Sequence, residues 1–106
     1  IAGYVKAFEN GGVEGKFSDE FRTPGHMALL RAADDLLDKR RGQTELSVAL
    51  AQMAGVTPAV TICEIMSDNG FALDKEGAKA YAKEHGLVFI EGQEVLDEWE
   101  RRRAAA

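Results

Sequence analysis

Hydrophobic positions along this chain fall into helical stripes and short apolar runs, punctuated by glycine. Ile1, Val5 and Phe8 recur at helical spacing, and Gly11 and Gly12 close that stripe. The stripe starts on the first residue with no cap before it, as expected of a chain with sequence upstream, or of one trimmed at this end. Residues 11–20, GGVEGKFSDE, are glycine-rich and polar and predict a loop. In FRTPGHMALL, Pro24 biases Thr23 towards extended backbone, and HMALL predicts a short buried strand. DDLLDKRRG is a charged connection with room for one helical turn.

Thr44 is placed to cap a helix, with Glu45 in the first turn, where negative charge is favoured. Leu46, Leu50 and Met53 form its buried stripe, and Gly55 ends it. PAVTICEIM, rich in β-branched and apolar residues, predicts a central strand. SDNG is a turn, and FAL a short return strand. Asp74 caps a helix running through His85, with Ala78, Tyr81, Ala82 and His85 on one stripe and Gly86 as its stop. LVFI predicts a further strand. The last helix starts near Gln93 and buries Val95, Leu96 and Trp99, with three arginines near its negative end. The order α, β, α, β, β, α, β, α predicts an α+β fold, a layered α/β sandwich with a mixed twisted sheet.

Composition narrows this little. At 106 residues, 45% hydrophobic and 29% charged, the chain suits one small soluble domain. A net charge of −5 disfavours nucleic acid and anionic membranes as partners. The single Cys63 excludes an internal disulfide and fits a reducing cytoplasm. No run approaches the ~20 apolar residues of a membrane span.

Three places carry candidate chemistry. In RRGQTELSVAL, arginines and a glycine meet a helix start, where free N–H groups and the helix dipole favour an anion. Gly42 allows close approach to the backbone. Arg40 or Arg41 can fork onto phosphate oxygens, and Thr44 adds a hydroxyl. A capped helix with two solvated arginines explains the same residues. His26, after Pro-Gly, is an acid, base, ligand or structural histidine. Glu64 lies in an apolar run and, by strand alternation, shares a face with Ile62 and Met66. Burial there would raise its pKa into the range useful for proton transfer, whereas at a strand end it would simply face solvent. His85 reads as a partner for its helix's C-terminus.

FRTPGH (21–26), RRGQTELSVALAQMAG (40–55), TPAVTICEIMSDNG (57–70) and AKEHGL (82–87) occur in one order with short spacers. Together they resemble the C-terminal half of the 3,4-dihydroxy-2-butanone-4-phosphate synthase family, over about Glu20 to Leu87 and in archaeal wording. The resemblance implies that residues 1–106 are the C-terminal part of a single synthase domain. It implies a cytoplasmic lyase of riboflavin biosynthesis that converts ribulose 5-phosphate to 3,4-dihydroxy-2-butanone 4-phosphate and formate. It also implies a Mg²⁺ (or Mn²⁺) cofactor, no organic cofactor, and a homodimer with its site at the subunit contact. By motif position, Arg40, Gly42 and Thr44 grip the substrate phosphate, and Glu64 and His26 are catalytic.

Two departures stand out. The family usually reads GHTE with a metal-binding histidine, and Gln43 stands at that position. Its amide oxygen suits a hard cation but cannot act as an imidazole base. The family's acidic metal loop lies upstream of these residues, so the 106 residues alone are expected to be inactive. Two other readings follow: a non-catalytic homologue that binds a sugar phosphate, and a structural module whose arginines pair with protein carboxylates.

Overall fold

The computed structural model describes residues 1–12, 15 and 17–106. Val13, Glu14 and Lys16, part of the loop predicted over 11–20, lie outside them. The chain folds as helices joined by extended segments. They are α1 (Ala2–Glu9), α2 (Phe17–Glu20), a 3₁₀ turn (Leu36–Asp38), α3 (Gln43–Met53), α4 (Lys75–Glu84) and α5 (Gly92–Ala105).

The layered sandwich with a mixed sheet is not found. Among the described residues no β-strand forms, and strand pairing is limited to one antiparallel bridge between Met66 and Ala72. The runs predicted as strands are extended, but none has a neighbour hydrogen-bonded along its length. A strand has no partners for its backbone groups unless another lies beside it, and β-propensity alone does not supply one. Their side chains are correspondingly exposed: Leu29 is 75% accessible and Val88 85%, with Leu30, Val60, Ile62 and Ile90 also open. The predicted burial of HMALL and PAVTICEIM is overturned with the sheet.

The helices follow their caps more closely. The Asp74 carboxylate accepts the Gly77 N–H at 2.7 Å and starts α4, and Gly86, at φ +64, ends it past His85. At the head of α5, the Glu91 N–H donates to the Glu94 carboxylate at 2.8 Å. The SDNG turn closes with the Ser67 N–H on the Phe71 carbonyl at 2.8 Å, and Gly70 takes φ +85.

The buried core is small. Leu36, Leu37, Ala49 and Val95 form it, with Ala32, Leu46, Val48, Met53, Leu96 and Trp99 packed around. Leucines from the stretch read as a charged connection therefore anchor the molecule. Leu36 holds φ +44, unfavourable for a branched side chain, where burial keeps it. On α3 the buried residues are Glu45, Ala49 and Ala51, whereas Leu50, expected inside, is exposed. On α4 only Ala82 of its predicted stripe is buried.

Polar ties align the helices. The Arg102 guanidinium donates to the Met53 carbonyl at 2.6 Å, fastening α5 to the end of α3. Arg103 pairs with Asp38, and Lys75 and Lys79 reach Glu91 at 3.1 and 3.2 Å, holding α4 to the head of α5.

Candidate functional site

The start of α3 concentrates the chemistry. Gly42 is its N-cap, at φ −96 and ψ 172, and Gln43 and Thr44 are its first two residues. The helix thus begins before Thr44, which lies inside it and does not cap it. No side chain caps Gly42. First-turn N–H groups have no carbonyl within their own helix, and that of Glu45 instead meets its own carboxylate. The Ser47 hydroxyl turns back onto the Gln43 and Thr44 carbonyls at 2.6 and 3.1 Å.

The two arginines diverge. Arg41 points to α5 and pairs with Glu100 at 3.5 Å, both side chains being well exposed. Arg40 folds over the first turn of α3, and its Nη1 donates to Glu45 Oε2 at 2.6 Å. Glu45 is 1% accessible, and its other oxygen accepts the Ala33 N–H at 3.1 Å. Burial pushes this carboxyl up. Hydrogen bonds from the Ala33 and Glu45 backbone and from Arg40, with the Arg40 charge, outweigh it and hold the group below its ordinary value of 4.5.

A side chain at position 42 would collide with this pair. Its Cβ would lie 2.7 Å from Arg40 Cζ and 2.8 Å from Glu45 Oε2. Gly42 is therefore small to let the guanidinium pass, not to permit a rare backbone angle. Sequence reasoning assigned Glu45 only a favourable place on the helix dipole. The signal that pointed further was a glycine between an arginine and a glutamate five residues apart.

Gln43 and Glu64 line one cavity of about 650 Å³. Its walls come from α3 (Leu46, Ser47, Leu50), the extended run Ile62–Ile65, α4 (Ala78) and α5 (Gly92, Val95). Ile62, Cys63, Glu64 and Ile65 all line it, so the two-faced alternation expected of a strand does not apply. Glu64 is exposed, and the burial expected for it is not found. Cys63 is an exposed free thiol. Arg40 and Thr44 are not among the lining residues, although Gln43 beside them is.

His26 stands elsewhere. It lines a separate, mostly apolar cavity of about 380 Å³ with Tyr4, Phe17, Phe21 and Arg22. Phe17 stacks on Phe21 with ring centroids 4.4 Å apart, and Tyr4 meets Phe21 edge-on at 5.4 Å. His85 stacks on Tyr81, with its Nδ1 3.0 Å from the Tyr81 carbonyl at the end of α4. The structure thus brings Gln43 and Glu64 together, sets Arg40 and Thr44 at the adjoining helix start, and leaves His26 apart.

The Gln43 amide oxygen, the Ser47 hydroxyl and the Glu64 carboxylate are hard oxygen donors, the kind Mg²⁺ and Mn²⁺ accept. Among the described residues, no three or more His, Cys, Asp and Glu side chains cluster as a metal site. The donors fit such a cation in kind. No helix of the described residues is long and apolar enough to cross a membrane.

The family model for 3,4-dihydroxy-2-butanone 4-phosphate synthase matches residues 6–98. A Methanosarcina acetivorans protein of that name is 66% identical over 83 residues, covering 77% of this chain and 34% of the relative. Its namesake in Archaeoglobus fulgidus is 56% identical over 88 residues, covering 82% and 37%. A Mycobacterium tuberculosis protein named riboflavin biosynthesis protein RibBA is 42% identical over 87 residues, covering 80% and 20%. The chain spans about a third of the length of the archaeal relatives it matches. The archaeal wording of its motifs accords with these matches, and the chain belongs to the 3,4-dihydroxy-2-butanone 4-phosphate synthase family.

Proposed function

We propose that this chain is part of a cytoplasmic lyase of riboflavin biosynthesis that converts ribulose 5-phosphate to 3,4-dihydroxy-2-butanone 4-phosphate and formate. The observation that carries the reading is the junction of two features in a member of this family. A helix start with cation, glycine and hydroxyl adjoins a cavity that contains an acidic side chain. Arg40 spends one nitrogen on Glu45, and its remaining N–H donors, the Thr44 hydroxyl and the first-turn amides of α3 hold the phosphoryl group. Glu64, across the cavity from α3, takes a proton from carbon and returns it during enolisation and loss of water.

His26 is the second proton carrier by motif position. Its segment lines a different cavity from Glu64 and would meet it across the subunit contact of a homodimer whose site lies at that contact. The exposed apolar side chains Met27, Leu29 and Leu30 beside it suit such a contact. Gln43 would hold Mg²⁺ or Mn²⁺ through its amide oxygen. Bound there, the cation stabilises negative charge on the sugar oxygens. The described residues would supply only part of that shell, and the 106 residues by themselves are expected to be inactive.

The test is formate release from ribulose 5-phosphate by the full-length protein. Activity above the no-enzyme control is expected, with Glu64→Ala lowering it by about 10²-fold or more, the usual weight of a positioned acid–base group. A full-length protein that releases no formate overturns the proposal.

A further inference from the structure

We propose that Glu45 is a positioning residue that presents Arg40 to the substrate phosphate. The inference rests on the phosphate grip argued above and deepens it. Three observations carry it. Among the described residues Glu45 is the one buried charged side chain, at 1% accessibility, and a carboxylate is held there only when paired. Its two oxygens have separate tasks: Oε1 accepts the Ala33 N–H and fixes the segment before the 3₁₀ turn, while Oε2 accepts Arg40 Nη1. Gly42 leaves room for that guanidinium and for nothing larger.

The backbone of Arg40 is secured as well. Its N–H donates to the Leu36 carbonyl at 2.9 Å, and Leu36 and Leu37 are buried. Arg40 is thereby held at both ends, although its side chain is 63% accessible. An unrestrained arginine loses much rotamer freedom when it grips an anion. One already clasped by Glu45 has lost it on folding, and its remaining donors belong to the same rigid planar fork. The buried carboxylate acts on the substrate through Arg40 and does not touch it.

The experiment compares Glu45→Gln, Arg40→Ala, Gly42→Ala and the double variants on Arg40→Ala in the full-length protein. Gln at position 45 keeps an acceptor for the Ala33 N–H but has no charge for Arg40. Gly42→Ala keeps the Glu45 charge but crowds both the guanidinium and Glu45 Oε2 and so forces the pair apart, at backbone angles that alanine tolerates. It therefore tests the same clasp if Glu45→Gln does not fold. The Kd for ribulose 5-phosphate is expected to rise about tenfold or more in each single variant. KM is expected to rise with it while kcat stays within about threefold, because the clasp acts on binding. On Arg40→Ala, neither second change weakens binding further, the non-additivity of groups acting through one another. Arg40→Ala weakening binding while Glu45→Gln or Gly42→Ala leaves it unchanged overturns the positioning role and spares the grip. Arg40→Ala leaving the Kd unchanged overturns the grip and the positioning role together.

Discussion

Glu45 sets an acid limit on stability. Its carboxyl is held below 4.5 in the folded chain by the Ala33 and Glu45 backbone and by Arg40, against the upward push of burial. The unfolded chain therefore binds this proton first as pH falls. The stabilisation is fully present above the ordinary carboxylate range and is lost as pH drops from about 4.5 through the lowered folded value. Glu98 follows the same sign: Arg101 and Arg102 bring it down to about 2, so its share is lost between 4.5 and about 2. Urea denaturation midpoints from pH 7 to pH 3 are expected to fall on the acid side for the unaltered chain. Glu45→Gln, already less stable at pH 7, is expected to show a shallower fall, and the two curves converge in acid. Parallel curves would mean that the buried pair does not titrate with unfolding. Of this arrangement only the dipole-friendly place of Glu45 was legible in the sequence. Its burial depends on Arg40 folding back over Gly42, which no periodicity records.

At the scale of elements, helices were legible because their signals are local. Asp74, Gly86 and the start near Gln93 each act within a turn of their own residue, and α4 and α5 formed accordingly. Strands were not, because PAVTICEIM and LVFI state a preference whose fulfilment depends on a neighbour, and no run lies along either. The same absence scattered the site: without a sheet, His26 and Glu64 occupy different cavities. The stretch DDLLDKRRG departs from its pattern in the opposite sense, since two leucines among charges carry no stripe yet fill the core between α3 and α5. Leu37→Ala is therefore expected to cost roughly 2–5 kcal/mol, the range for emptying a buried leucine site. Val88→Ala, at a residue 85% accessible, is expected to change stability by less than about 0.5 kcal/mol. Urea unfolding of the two variants at pH 7 checks both. Equal effects would show that the core does not lie where Leu36 and Leu37 place it.

The whole molecule is more open than its mass requires. Its radius of gyration is 16.5 Å, against ~13 Å for a compact chain of this length. It exposes 8851 Å², about 3,000 Å² more than a compact protein of 11.5 kDa. A standard interface takes about 800 Å² from each partner, so the surplus exceeds one such contact. Much of it is apolar, from Leu29, Leu30, Phe71, Leu87 and Val88, and such area drives association when water is the alternative. The 106 residues prepared alone are accordingly expected to associate as concentration rises in sedimentation velocity. At the lowest concentrations, X-ray scattering is expected to give a radius near 16.5 Å, and the chain to bind a hydrophobic dye. The dimer proposed for the full-length protein covers these faces, so that protein is expected to bind far less dye and to sediment as a dimer. Were the 106 residues alone a dye-silent monomer of ~13 Å radius, their extended apolar segments would already be packed within the chain. A subunit contact would then not be needed to bring His26 to the cavity that holds Glu64.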